Sequence, residues 1–303
     1  MPQRNPLLDW LILAALVVAW GSSFAMTKIA VRHLDAAWIM ALRLSIAAAV
    51  LVPFAWIKGQ TLRAPRAVWG KFSLLALIGH AAPFFLITWG THFVASGISG
   101  LLMGAIPLLL VVLAHFFLPG EPLTLTKSAG FVLGFAGIVV LIGPESLFGV
   151  SLEGDELKGE AAILLGCLCY AIHAIAAKRL GIENPIKQTA SVCLAAALMG
   201  LAFALVSDPT GLSGAPAVAI WAVVGLGLIP TALATLMMYN LIHRVGPSFV
   251  SYSNYLVPVY AVLLGAALLG EPLNWSVAAS LALILLGIAV SRWRPFARSQ
   301  PAV

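Results

Sequence analysis

The sequence predicts an all-α membrane protein of ten transmembrane helices, arranged as two inverted five-helix repeats. Three observations predict it. The chain is 61% hydrophobic and 9% charged, with a mean hydropathy of +1.03, whereas a soluble domain is about 25% charged. Its apolar runs approach the ~20 residues that a helix needs to cross a bilayer, about twice what a barrel strand needs. The chain also repeats itself. Gly120-Glu121-Pro122-Leu123 closes one run and Gly270-Glu271-Pro272-Leu273 another, an offset of 150 positions (120 to 270). Lys28 follows Trp20, and Lys178 follows Tyr170, at that same offset (28 to 178).

In chain order the expected spans are 10–31, 36–57, 69–91, 97–118, 126–143, 160–179, 188–206, 217–241, 248–269 and 274–291. The first follows Arg4 as a signal peptide would. It is too long for one and ends on Lys28, so it reads as a retained helix. The loops are too short to hold a separate soluble domain. Cys167, Cys169 and Cys193 all fall inside spans. An odd, buried set reads as packed thiols rather than a disulfide framework. No further ligands accompany Cys167 and Cys169 at metal-binding spacing, so neither a metal nor a cofactor is expected.

Charge sets the orientation. With the N-terminus inside, Arg4, Lys58, Arg63, Arg66, Lys71, Lys127, Lys178, Arg179, Lys187, Arg244, Arg292, Arg294 and Arg298 fall on the cytoplasmic side. Lys28, Arg32 and Lys158 fall on the other, with the acidic loop of Glu145, Glu153, Asp155, Glu156 and Glu160. This bias places both termini in the cytoplasm. The net charge of +6 therefore reports orientation toward a lipid bilayer and calls for no nucleic-acid partner.

Five helices is an odd number, so the second copy enters from the opposite face and the repeats are inverted about an axis in the membrane plane. The division falls in the acidic loop, residues 144–159, giving repeats 1–148 and 149–303. Proline placement agrees. Pro83 and Pro230 lie in spans three and eight, and Pro107 and Pro258 in spans four and nine. Such breaks survive in lipid only where protein or a cavity satisfies the freed carbonyls. Paired interruptions in matching spans point to a transporter's site and hinges.

These residues resemble a known family. Trp20-Gly21-Ser22-Ser23-Phe24 with Lys28, Arg43 in the next span, and the two Gly-Glu-Pro-Leu joints are similar to EamA-type members of the drug/metabolite transporter superfamily. The resemblance covers nearly the whole chain, and its nearest branch is the aromatic amino-acid exporters. It implies a bundle of five plus five inverted helices that exports amino acids or related small metabolites across a bacterial inner membrane. The second copy departs from the pattern, with Tyr170-Ala171-Ile172-His173 in place of Trp-Gly-Ser-Ser.

Depth selects candidate residues. His80 lies mid-span near Pro83, and His173 one turn after Tyr170. A midplane imidazole is costly unless it lines water or finds a partner. Trp20 and Tyr170 are repeat mates at midspan and suit the walls of a cavity. Ser23 shares a face with Trp20, and Phe84 with His80. Met103 precedes Pro107 by one turn, and Tyr252, Asn254 and Tyr255 precede Pro258. The expected lining is therefore Trp20, Ser23, His80, Phe84, Met103, Tyr170, His173, Tyr252, Asn254 and Tyr255, with Pro83, Pro107, Pro230 and Pro258 as hinges.

Other residues take simpler readings. Glu121 and Glu271 read as caps beside helix N-termini, and Lys28 and Lys178 as caps at helix ends. Trp10, Trp38, Trp56, Trp69, Trp275 and Trp293 read as interface anchors. Gly100-x-x-x-Gly104 and Gly130-x-x-x-Gly134 read as close helix packing, within or between chains. Arg43 snorkels, pairs with Asp35, or binds a substrate carboxylate.

The chain is thus expected to be a monomeric small-solute carrier. No Asp or Glu is expected deep in a span, which favours facilitated diffusion over proton exchange. Mixed aromatic and uncharged polar walls suit a zwitterion with an apolar side chain. A sugar phosphate or nucleotide sugar, the alternative antiporter substrate, would want a deep basic cluster, for which Arg43 is the only foothold. An intramembrane enzyme would need Ser22 or Ser23 paired with His80 or His173.

Overall fold

The computed structural model describes residues 6–142, 154–180, 184–209 and 211–292. The expected repeat division at 148 lies outside them, as does Trp293. The described residues form helices and no strands. They are α1 (Pro6–Ala30), α2 (Ala36–Ile57), α3 (Arg66–Phe93), α4 (Ser96–Phe117), α5 (Leu125–Ile142), α6 (Asp155–Leu180), α7 (Pro185–Ser207), α8 (Ala217–Val245), α9 (Ser253–Leu269) and α10 (Trp275–Arg292). The first eight are long and apolar enough to cross a membrane, and α9 and α10 are shorter apolar helices. This is the ten-helix membrane architecture that the hydropathy implies.

Local chemistry sets the ends. The Asp35 carboxylate accepts from Ala37 N at 2.7 Å and starts α2. That role is a cap, and no ion pair joins Asp35 to Arg43. Asn184 accepts from Lys187 N at 3.0 Å at the start of α7, where Pro185 occupies the first turn. Gly270, at φ 66°, closes α9 in the left-handed region. Lys28 donates to the carbonyls of Thr91, His92 and Val94 at 2.7–3.1 Å and closes α3, while Lys178 is exposed. Trp38 is buried and donates to Asp208 O at 2.8 Å, tying α2 to the end of α7. Trp56 and Trp275 are exposed, as membrane-facing residues should be. Glu160, expected in the acidic loop, lies within α6 and is buried, because that helix begins one turn earlier than hydropathy suggests.

The packing is symmetric. α2 packs on α7, α4 on α9 and α5 on α10. The contact of α3 with α6 is matched by α8 with α1, α4 with α6 by α9 with α1, and α2 with α8 by α7 with α3. Exchanging each helix for the one five places on returns each of these pairs, as a duplicated unit requires. Gly130 and Gly134 meet the backbone of α10 at Gly287, and Gly100 meets Ala261. Both small-residue spacings are therefore used inside one chain, letting backbones approach in the absence of a hydrophobic drive between helices.

Four helices are interrupted. α3 contains a five-residue π turn at Leu77–Ala81 and α8 a seven-residue one at Gly227–Leu233, and both begin at matching positions (77 and 227, offset 150). α4 breaks at Met103–Gly104. Before α9, a short helix at Pro247–Val250 is separated by a turn at Ser251–Tyr252. Hydropathy predicts each of these as one continuous span, because an apolar run carries no record of a local change in helical pitch.

Candidate functional site

The interruptions surround a cavity of about 420 Å³, walled by α1, α2, α3, α4, α6, α8 and α9. That size lies within the roughly 300–1,000 Å³ of small-molecule sites. Trp20, Ser23, His80, Phe84, Met103, Tyr170, His173 and Asn254 line it, and so do Pro230 and Pro258. Pro83 and Pro107 sit outside the lining: Pro83 opens the helical stretch after the α3 π turn, and Pro107 follows the α4 break. Tyr252 lies away, half exposed and stacked on Trp10 at 5.9 Å between ring centroids. The Tyr255 hydroxyl instead reaches Ile288 O of α10 at 3.4 Å. Both tyrosines have a suitable depth, but neither is among the lining residues.

The aromatic groups form a chain. His80 lies 5.8 Å from Phe84 and 5.9 Å from His173, edge to face with the latter, and Phe84 lies 6.3 Å from Tyr170. Gly79 permits the histidine contact, because any Cβ there would meet the His173 ring. His80 Nδ1 is buried without a hydrogen-bond partner among the described residues. The Asn254 amide, also on the lining, follows a hydroxyl that is satisfied locally, Ser253 Oγ donating to Val250 O at 2.7 Å. Pro258 removes the donor that a regular helix would supply to the Asn254 carbonyl.

Several lining residues escape a reading by depth, among them Thr88, Thr231, Thr235 and Ser253. Small hydroxyls are cheap in a helix because they can bond a carbonyl one turn back, as Thr235 does to Thr231 O at 2.5 Å, so sequence gives them no prominence. Arg43 also lines the cavity. Its Nε donates to Thr231 Oγ1 at 2.8 Å, and its Cζ stands 4.1 Å from the centroid of Phe84. Ser23 Oγ donates to Trp20 O at 2.6 Å and Ser22 Oγ to the Tyr260 hydroxyl at 3.5 Å. Neither serine is hydrogen-bonded to His80 or His173. Among the described residues, no three His, Cys, Asp or Glu side chains converge as a metal site.

The EamA-like transporter family matches this chain twice, over residues 8–143 and again over 157–293. The chain belongs to the EamA-like transporter family. It is therefore a multi-pass membrane transporter built from a duplicated EamA unit, with the cavity between the copies. An uncharacterized transporter of Archaeoglobus fulgidus is 26% identical over 93% of this chain and 97% of its own length. The inner membrane transporter YedA of Escherichia coli is 26% identical over 86% of this chain and 83% of its own. A probable terminal-alkyne amino-acid exporter of Streptantibioticus cattleyicolor is 29% identical over 86% and 84%. One crystal structure, 24% identical, superposes on this EamA-like chain with a TM-score of 0.67 over 95% of it and 97% of its own chain. That likeness concerns the fold.

Proposed function

We propose that this EamA-like transporter exports amino acids, aromatic or other apolar ones, across a bacterial inner membrane by alternating access. The observation that carries the reading is the central cavity, walled by Trp20, Phe84 and Tyr170 and edged by uncharged polar groups. Flat apolar walls bury an apolar side chain, and the polar edge receives a polar head. The exporter from Streptantibioticus, whose name concerns an amino acid, supports the same substrate class. The repeats divide within residues 144–159, both termini lie in the cytoplasm, and the protein acts as a monomer. Among the described residues no carboxylate belongs to the cavity lining, which favours facilitated diffusion down the substrate gradient.

Uptake by purified protein in liposomes tests this. Saturable uptake of labelled phenylalanine and tryptophan, above that of alanine and unchanged by an imposed pH gradient, is the expected result. Strong uptake of a sugar phosphate with none of any amino acid overturns the substrate class. Accumulation driven by the pH gradient overturns facilitated diffusion. Reporter fusions at each terminus check the orientation.

A further inference from the structure

We propose that Arg43 is the carboxylate anchor of the cavity, and that a free carboxylate, rather than an amino group, is what the transporter recognises. This rests on reading the cavity as the transport site and names the chemical group that the site selects.

Three observations carry it. First, among the described residues Arg43 is the cavity's one cationic lining residue apart from the histidines, and no Asp or Glu of them lines the cavity. The ion pairs of the described residues, Lys127–Glu121, Lys158–Asp155 and Arg244–Asp9, are all elsewhere. Tyr170, His80 and His173 share the lining with it, and His80 faces His173 at 5.9 Å. A guanidinium inside a membrane protein is costly without an anion or water, so this one is held ready for a visiting charge.

Second, its geometry is fixed without being used up. A guanidinium has five N–H donors. Nε is spent on Thr231 at 2.8 Å, and the planar face rests on Phe84 at 4.1 Å. These contacts lock the plane and leave the two terminal nitrogens, the pair that grips a carboxylate through two parallel hydrogen bonds. Lys28 shows the contrast. Its ammonium, which has three protons, is taken up by three carbonyls closing α3.

Third, the count of charges selects the ligand. One guanidinium matches one negative charge. A phosphomonoester carries about −1.5 to −2 near neutral pH and would leave charge unmatched. An ammonium group finds no carboxylate on the lining and only neutral acceptors such as Asn254 and Tyr170. The amino group therefore adds little to recognition, and the substrate class is apolar monocarboxylates, with amino acids as members.

Thr231 lies in the π turn of α8, so Arg43 also links α2 to an interrupted helix of the other half. A carboxylate drawn onto Arg43 sits beside the element that must change shape.

The test is ligand-induced thermal stabilisation of the purified protein, with liposome uptake of labelled compounds as the second measurement. The wild-type panel is phenylalanine, 3-phenylpropanoate (no amine), phenylalaninamide and phenethylamine (no carboxylate), with glucose 6-phosphate. Phenylalanine and 3-phenylpropanoate are expected to bind within about threefold of each other, and the carboxylate-free compounds at least tenfold more weakly. Arg43→Gln should lose at least tenfold for both carboxylates, and Arg43→Lys should recover part of it. The wild-type panel needs no variant to fold. Binding of phenylalaninamide as tight as phenylalanine overturns the anchor while leaving amino-acid transport standing. Binding of 3-phenylpropanoate with no amino acid bound overturns the amino-acid reading and leaves the anchor standing. No carboxylate bound, or glucose 6-phosphate bound most tightly, overturns both.

Discussion

Gly79 shows how one missing side chain shapes the cavity. It lies in the π turn of α3, and a methyl group there would occupy the space of the His173 ring on α6. Gly79→Ala should push His173 away from His80. We expect a stability loss of about 1–3 kcal/mol, as for other overpacked sites, and a fall in uptake larger than that loss explains. Thermal unfolding and liposome uptake of the same preparation check both, and unchanged uptake would rule out a role for the histidine contact. At this scale depth was a good guide, because a polar or aromatic group at midplane needs a reason to be there. It placed Trp20, His80, Tyr170, His173 and Asn254 on the cavity. Depth says nothing of facing, however. Tyr252 and Tyr255 turn toward Trp10 and Ile288 instead. Arg43 could be read three ways until Asp35 was seen to cap its own helix.

Among the elements, the two Gly-Glu-Pro-Leu joints are alike in sequence and unlike in structure. The Glu271 carboxylate accepts from Ser96 N at 2.6 Å and Gly97 N at 2.8 Å, at the start of α4. It is wedged between Gly97 and Gly265, neither of which has room for a side chain without movement. Glu121 instead pairs with Lys127 at 3.3 Å, partly exposed. The sequence supplies a reason. At the same offset of 150 the mates of Ser96 and Gly97 are Gly246 and Pro247, so the mate of Gly97 is a proline with no N–H to give. Glu271→Gln should therefore cost about 0.5–2 kcal/mol, as loss of a helix N-cap does. Glu121→Gln should cost less than about 1 kcal/mol, as loss of an exposed pair does. Equal shifts in unfolding temperature for the two variants would contradict the asymmetry. Both glutamates read as caps of the helix that follows them; Glu271 instead caps α4, 175 positions back along the chain, and Glu121 pairs with Lys127.

For the whole molecule, the same asymmetry appears at the two ends of the bundle. Gly159 of α6 packs against Gly90 and Val94 of α3, backbone near backbone. The positions matching Gly159 and Val94 in the other half (offset 150) are Asp9 and Arg244, which form an ion pair at 2.6 Å between α1 and α8. Glycine against backbone on one face is thus matched by an aspartate–arginine pair on the other. The two ends of the bundle are therefore packed differently, and Glu271, which bonds Ser96 and Gly97, lies at the glycine end. Gly159→Leu should force α6 away from the end of α3 and lower uptake at least tenfold. Gly70→Leu, at a glycine with open space around it, should leave uptake unchanged. Equal uptake in the two variants would show that this contact takes no part in the cycle.

The sequence by itself determined the properties that depend on sums and periods along the chain. Sparse charge and ~20-residue apolar runs require a helical membrane protein. A repeat of an odd number of helices requires inversion. Midplane polar residues mark where the lipid cannot be. The tertiary structure decided the properties that depend on how helices turn about their axes and how tightly they pack. It gathered Arg43, Phe84 and Thr231 from three helices into one contact. It widened α3 and α8 into π turns, and it packed the matching helix ends of a duplicated molecule differently. These depend on contacts between helices far apart along the chain, which hydropathy along a single chain does not record.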